Sequence, residues 1–179
     1  MKRLIILAPA IALAGIAAGC SKGADQLQPG QWEMVTRVKS IEIPGAPPEA
    51  QAQLRSGVGR SQTNQDCITP ERARNPLAQM RQMMSQGQAA NCRFTDEVFG
   101  GGVIRIRATC PGPGGQASGG GTVSLEGSFT ATTLQATLSV NATGGSPAVP
   151  GATGMNMSAE INGRRVGECA AGARPGNGQ

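Results

Sequence analysis

The chain has 179 residues, carries a formal net charge of +5 and contains no histidine and no tyrosine. The charge surplus is small and aromatic residues make up 2% of the sequence, which argues against a nucleic-acid-binding surface of clustered cations and stacking rings. The absence of histidine removes the commonest general base and the commonest metal ligand.

Residues 1–19 have the pattern of a secretory signal peptide. Lys2 and Arg3 form a short positive segment, and the apolar run that follows ends in small residues. A membrane-spanning helix would need about 20 apolar residues, whereas Leu4–Gly19 is shorter and contains Pro9. We therefore expect residues 1–19 to be removed, which lowers the net charge from +5 to +3.

The residue after this signal, Cys20, is expected to carry lipid. The stretch Ala17–Cys20 resembles a bacterial lipobox, in which small residues precede a cysteine that receives lipid through a thioether and becomes the new N-terminus. Several acyl chains on one residue give stable membrane anchoring. Ser21, in place of aspartate, favours sorting to the outer membrane. We therefore expect an envelope protein anchored there and facing the periplasm, with residues 20–30 as a tether.

The four other cysteines form an even set: Cys67, Cys92, Cys110 and Cys169. In an exported protein an even set predicts two disulfide bonds. A free reactive thiol is the alternative, and a zinc site is disfavoured because the sequence contains no C-x-x-C spacing.

The first element in chain order is a strand over residues 31–43, where apolar and polar residues alternate and a bulge is expected near Lys39-Ser40. A short helix is expected after Pro47-Pro48. The main helix is expected within residues 67–87, because Thr69-Pro70 and Asn75-Pro76 are both cap-then-proline starts. Apolar residues then recur at helical spacing, and Gly87 ends the element. These residues are Leu77, Met80, Met83 and Met84.

From Cys92 onward the sequence predicts strands. Residues 99–102 form a turn, and the strands within 122–140 are expected to turn at Glu126-Gly127-Ser128, with a bulge near Thr132-Thr133. The last strands form a hairpin around Asn162-Gly163, which suits a type I′ turn. Alternation predicts that four residues are buried, namely Ile104, Ile106, Leu138 and Met157, and that three are exposed, namely Arg105, Arg107 and Asn156.

Together these elements predict an α+β, mostly β fold. We expect a curved antiparallel sheet with one main helix packed on one face, stapled by disulfides, as a single domain over residues 31–169. Residues 170–179 are expected to be a disordered tail.

Sequence alone leaves three disulfide connectivities open, and the phase of the strands favours one of them. Cys110 is in step with Ile106, which places its sulfur on the core face. A bulge at Gly167 would bring Cys169 to the same face. We therefore predict Cys110–Cys169, which leaves Cys67 to pair with Cys92.

Several residues invite a chemical interpretation. Gly112-x-Gly114-x-x-Ala117 matches a loose dinucleotide fingerprint, but no helix follows to receive a pyrophosphate. Thioethers are ligands for Cu(I), and five methionines could supply them, although methionine also fills cores. These are Met80, Met83, Met84, Met155 and Met157.

No catalytic set stands out in the sequence. Arg164 and Arg165 could clamp an anion or form a solvated strand edge. The carboxylates show no paired placement that would suit acid–base catalysis, being scattered over strands and turns. They are Asp96, Glu97, Glu126 and Glu160.

Four short segments carry a resemblance to a known family: PGQWE, CITPE, GSFTATT and GRRVGEC. Their order and spacing resemble those of the bacterial family called domain of unknown function 3617, over roughly residues 28–169. The resemblance implies an exported, often lipidated protein and brings no activity, cofactor or catalytic residue. We therefore expect a non-enzymatic structural or interaction protein of the envelope. The alternative is a ligand-binding or sensing module for a small apolar ligand or copper.

Overall fold

A computed structural model describes residues 26–84, 92–111, 119–145 and 149–170, without the side chains of residues 83 and 84. The elements of this described part are, in chain order, β1 (Gly30–Glu42), α1 (Pro48–Arg55), β2 (Ser61–Ile68), α2 (Pro70–Arg74), α3 (Pro76–Met84), β3 (Arg93–Gly100), β4 (Val103–Pro111), β5 (Gly120–Phe129), β6 (Thr133–Thr143) and β7 (Gly154–Gly167). None of the helices in these ranges is long and apolar enough to cross a membrane. The expectations for Cys20, Gly87 and the glycine motif at 112–117 lie outside the described residues, as do those for the signal peptide and nearly all of the tail.

The strands form one open antiparallel sheet in the order β2-β1-β7-β6-β5-β4-β3. Strands β3 to β7 follow one another as a meander, and the last strand then pairs with the first. The predicted β-rich, antiparallel class is confirmed.

The predicted main helix is divided into two short helices, α2 and α3, and with α1 the described chain has three short helices instead of one main helix. Thr69 caps α2 as predicted, because its hydroxyl accepts a hydrogen bond from the Arg72 N–H at 3.3 Å. Asn75 then interrupts the helix with a non-helical conformation (φ −133°, ψ 61°), and α3 begins at Pro76. A residue before proline is driven out of the helical region by the proline ring, which explains the break.

Alternation along the strands gives the sheet an apolar face and a polar face. In β4, Ile104 and Ile106 are buried while Arg105 and Arg107 are exposed, as predicted. Residues opposite each other share a face, so the antiparallel register extends both faces across the sheet. The apolar face is thus continued from Ile106 by Leu125, Leu138 and Ala159.

The burial predictions hold for part of the apolar face. Asn156 is exposed as predicted, but Leu138 and Met157 are only half-buried. The difference reflects position, because the largest buried cluster gathers around Trp32 and β4 and leaves the middle of the apolar face less covered. That cluster contains Leu27, Trp32, Ile104, Ile106 and Phe129, and Leu77 and Met80 of α3 pack against it.

Truncating Ile106 tests which face of β4 carries the core. The side chain is 4% exposed, so we expect Ile106→Ala to lower the free energy of unfolding by about 2–5 kcal/mol. The matched change Arg105→Ala, on the neighbouring outward position, should alter it by no more than about 0.5 kcal/mol. Urea unfolding of both variants provides the measurement, and equal losses would contradict the assignment of faces.

The turns predicted at Glu126-Gly127-Ser128 and at Asn162-Gly163 were wrong, because both segments lie inside strands. Gly127 lies inside β5, where a Cβ would come within 2.1 Å of the Gln135 carbonyl oxygen. Gly163 lies inside β7, where a Cβ would come within 2.6 Å of the Met34 sulfur. Both glycines therefore permit close approach within the sheet instead of reversing the chain. The β5–β6 connection falls at residues 130–132, and β7 is one continuous strand.

Other local expectations are confirmed. The register of β1 against β7 shifts between Val38 and Ser40, where the bulge was predicted. Helix α1 begins at Pro48, and the β3–β4 turn is formed by Gly101 and Gly102, both with positive φ (59° and 80°). The polar strand β2 was not predicted.

The disulfide bonds are Cys67–Cys169 and Cys92–Cys110, so the predicted pairing was wrong. Because β7 runs on without a hairpin, Cys169 lies beyond its end, beside the start of β1. Cys67 lies on the other side of β1, since Gln31 is opposite both Cys67 and Gly167. Cys92 precedes β3 and faces Cys110 on the hairpin partner β4.

Candidate functional site

The carboxylates named in the sequence do not converge. In the described ranges six ion pairs tie carboxylates to cations: Lys39–Glu160, Arg72–Asp66, Arg81–Glu97, Arg107–Glu126, Arg164–Glu33 and Arg165–Glu168. Glu97, Glu126 and Glu160 belong to three separate pairs. The same ranges contain no buried polar or charged residue.

Glu97, Arg81 and Glu71 have pKa values that are shifted further away from neutral pH. Hydrogen bonds from Arg81 lower the pKa of Glu97, and the same contact raises the pKa of Arg81. Hydrogen bonds from its own backbone N–H and from Thr69 lower the pKa of Glu71. An acid–base catalyst needs a pKa near the working pH, and these shifts are in the opposite direction.

The two arginines considered as an anion clamp are separated. Arg164 pairs with Glu33 on the polar face, where its Nε donates to Oε1 at 2.8 Å. Arg165 is directed to the other face, donates to the Pro29 carbonyl oxygen at 2.7 Å and contacts Glu168. Their placement on opposite faces prevents one anion from binding both.

The methionines are likewise distributed between different packing clusters. Met80 packs against the cluster around Trp32, whereas Met155 packs against a second cluster of Ile43, Ala46 and Ala152. Among the described residues no group of cysteine or carboxylate side chains could hold a metal ion.

A concavity lies at the ends of β4, β5 and β6. It is a recess of about 1030 Å³, which we call the polar recess. One row of register partners supplies its polar lining: Arg93, Thr109, Thr122, Asn141 and Asn156. Sequence reasoning missed the recess because each of these residues is ordinary on a solvated face. Only the register between strands brings them together.

A smaller recess of about 170 Å³ lies on the apolar side of the same strand ends, and we call it the apolar recess. Val123, Val140 and Ala142 line it together with Cys110. Gly121 also lines it, and a Cβ at this position would come within 2.6 Å of the Asn141 carbonyl oxygen on the neighbouring strand. The Cys92–Cys110 disulfide fixes the end of β4 beside both recesses.

Comparisons with known proteins place the chain in a family. No curated protein and no solved structure matches it. The family described as "Protein of unknown function (DUF3617)" matches residues 27–169, which include all seven strands described above. The chain therefore belongs to the DUF3617 family.

Proposed function

We propose that this protein is a non-enzymatic lipoprotein of the bacterial envelope, anchored to the outer membrane through lipidated Cys20. Its folded domain faces the periplasm and serves as a structural or interaction module. The observation that supports the proposal is that the buried core begins at Leu27, seven positions after the proposed lipidation site at Cys20.

Leu27 is 7% exposed and belongs to the cluster around Trp32. The next residue is also fixed, because the Gln28 N–H donates to the Ala131 carbonyl oxygen at 2.8 Å. Leu27 is seven residues after Cys20, and a fully extended chain of that length spans at most about 25 Å. A lipid on Cys20 would therefore hold the folded domain at the bilayer surface, which suits a protein that presents a fixed surface there.

The electrostatics support a function without catalysis. Glu97, Glu126 and Glu160 are each paired with a cation, and among the described residues no polar side chain is buried in the core, where burial would shift a pKa for proton transfer. We also infer that the sheet curves around its apolar face with α3 against it. This inference is supported by the buried cluster, which joins Trp32 of β1 to Ile104 of β4, although three strands separate β1 from β4 in the sheet.

Replacing the lipidated cysteine tests the proposal. We expect Cys20→Ala to leave the protein in the soluble periplasmic fraction, because the acyl chains that anchor it are lost. Ser21→Ala, which keeps the thiol, should remain with the outer membrane. Immunoblots of separated periplasm, inner and outer membranes give the measurement. Retention of Cys20→Ala in the outer membrane would contradict the anchoring mechanism.

A second candidate function, binding of a small apolar ligand, is favoured by the apolar recess. A dry apolar cavity of about 150 Å³ is large enough for benzene, and this recess measures about 170 Å³. We expect benzene to raise the melting temperature of the wild-type domain and to have no effect on Val140→Phe, whose ring would fill the space. Equal shifts in both proteins would contradict this candidate. Copper is a lesser alternative, because Met80 and Met155 already pack in buried clusters.

A further inference from the structure

The open sheet has two edges, β2 and β3, and each edge exposes backbone N–H and C=O groups to which another strand could add. Proteins normally protect such edges with charges, bulges, prolines or a covering element. The two edges of this sheet differ in that protection, and the difference indicates where a partner binds.

The β3 edge is protected in three ways. Its register with β4 is broken by an irregularity between Phe94 and Asp96. It carries charged residues, and α3 reaches it, because Arg81 pairs with Glu97 and lies over the Phe94 ring at 5.8 Å. A further strand would have to displace these groups.

Over residues 61–65 the described part of the chain gives the β2 edge none of these protections. Only the end of the strand is covered, where Arg72 of α2 pairs with Asp66 and donates to the Cys67 carbonyl oxygen at 2.9 Å. Its register with β1 is continuous from Gly30 opposite Ile68 to Arg37 opposite Ser61. The residues at positions 61–65 are Ser, Gln, Thr, Asn and Gln, all exposed and uncharged. Their regular backbone is therefore an open template for one more strand.

The same strand is complementary to itself. When two copies of β2 are placed antiparallel about Thr63, Thr63 faces Thr63 and Gln62 faces Asn64 of the second copy, which are pairs that can form hydrogen bonds. Ser61 then faces Gln65. One step outward, Arg60 faces Asp66 of the second copy. Asp66 already pairs with Arg72 of its own chain, so Arg60 would be a second cation beside that carboxylate at each end of the paired segment. In the part of the chain that the structure describes, Arg60 belongs to none of the six ion pairs.

We propose that β2 is a homodimerisation edge, at which a second copy of this chain adds its own β2 antiparallel and joins two sheets into one. The paired segment is short, so its contact area is below that of a standard interface and the free domains associate weakly. Anchoring both copies in one membrane raises their local concentration. That step rests on the proposed anchoring through Cys20.

Cross-linking through a new cysteine tests the proposal in the full-length, lipidated protein. Two Thr63→Cys side chains would face each other at a separation that cross-strand disulfides tolerate. The matched control is Thr95→Cys, an exposed threonine on the β3 edge. In oxidised membranes we expect about a tenfold higher yield of covalent homodimer for Thr63→Cys, equivalent to about 1.4 kcal/mol. Maleimide labelling and thermal unfolding confirm that both variants are folded with accessible thiols.

Charge reversal gives a second measurement that does not depend on the new thiol alone. In the Thr63→Cys background, Arg60→Glu should reduce the dimer yield because it places like charges opposite each other, whereas Arg55→Glu on α1 should leave it unchanged. Equal yields for Thr63→Cys and Thr95→Cys, or capture of a different protein by Thr63→Cys, would overturn the proposal. Fractionation of Cys20→Ala reports on anchoring separately, so failure of one proposal is distinguishable from failure of the other.

Discussion

Trp32→Ala is expected to lower the free energy of unfolding by about 3–5 kcal/mol, which is a large share of the stability of a typical domain. Trp32 is fully buried (0% exposed) in the cluster that joins β1, β4 and β5. Its indole N–H also donates to the Gln28 carbonyl oxygen at 3.0 Å, so truncation leaves both a cavity and an unpaired acceptor.

Trp32→Phe is the matched control for this prediction. It keeps most of the apolar burial but loses the hydrogen bond to Gln28, so we expect a smaller loss than for alanine. Urea unfolding followed by circular dichroism measures both variants. A loss below about 1 kcal/mol for Trp32→Ala would mean that the centre of the core lies elsewhere.

Removal of the Cys67–Cys169 disulfide is expected to be the second large effect. The bond joins positions 102 residues apart, whereas Cys92–Cys110 joins positions 18 apart. In the loop-entropy account, closing about 100 residues contributes about 4.7 kcal/mol and closing about 15 contributes about 3 kcal/mol. The double variant Cys67→Ala/Cys169→Ala should therefore unfold more easily than Cys92→Ala/Cys110→Ala.

Non-reducing proteolysis with mass spectrometry identifies the two linked peptides, and urea unfolding then ranks the two double variants. A peptide that joins Cys67 to Cys92 would contradict the connectivity of the structure. The reverse order of stability would show that the entropy of the unfolded chain does not decide the contribution of these bonds.

Features determined by local chemistry could be predicted from the sequence. The alternation of apolar and polar residues in β4 predicts that Ile104 and Ile106 are buried, because one face of the sheet is apolar. The β1 bulge near Lys39 follows from a change in the phase of its apolar residues. The start of α2 follows from the capping hydroxyl of Thr69.

Features determined by the pairing of distant strands could not be predicted from the sequence. Gly127 and Gly163 suggest turns when considered locally, but they are required by neighbouring strands that pass within contact distance. Strand β2 lacks alternation because its residues at 61–65 are exposed on both faces at an edge. The disulfide pairing depends on β7 lying beside β1, which no local pattern reveals.

The candidate recesses were missed for the same reason. Arg93, Thr109 and Asn141 are far apart in sequence and become neighbours only through the register of β3 to β6. The proposed lipidation site is the opposite case, because the residues on which the prediction for Cys20 rests are contiguous and can be interpreted without a fold.

Under the proposed export of the chain, the pairing of β7 with β1 also has a consequence for the order of folding events. An exported chain emerges from its N-terminus, so β1 arrives early and must wait for its neighbour until nearly all of the protein has crossed. Sheet completion would then follow translocation, and such distant closure is slow. The Cys67–Cys169 disulfide could form only equally late, once an external oxidant accepts the two electrons, whereas Cys92 would meet Cys110 while the last strands are still crossing. A premature stop before β7 would therefore release a chain with an open β1 edge and an unpaired Cys67.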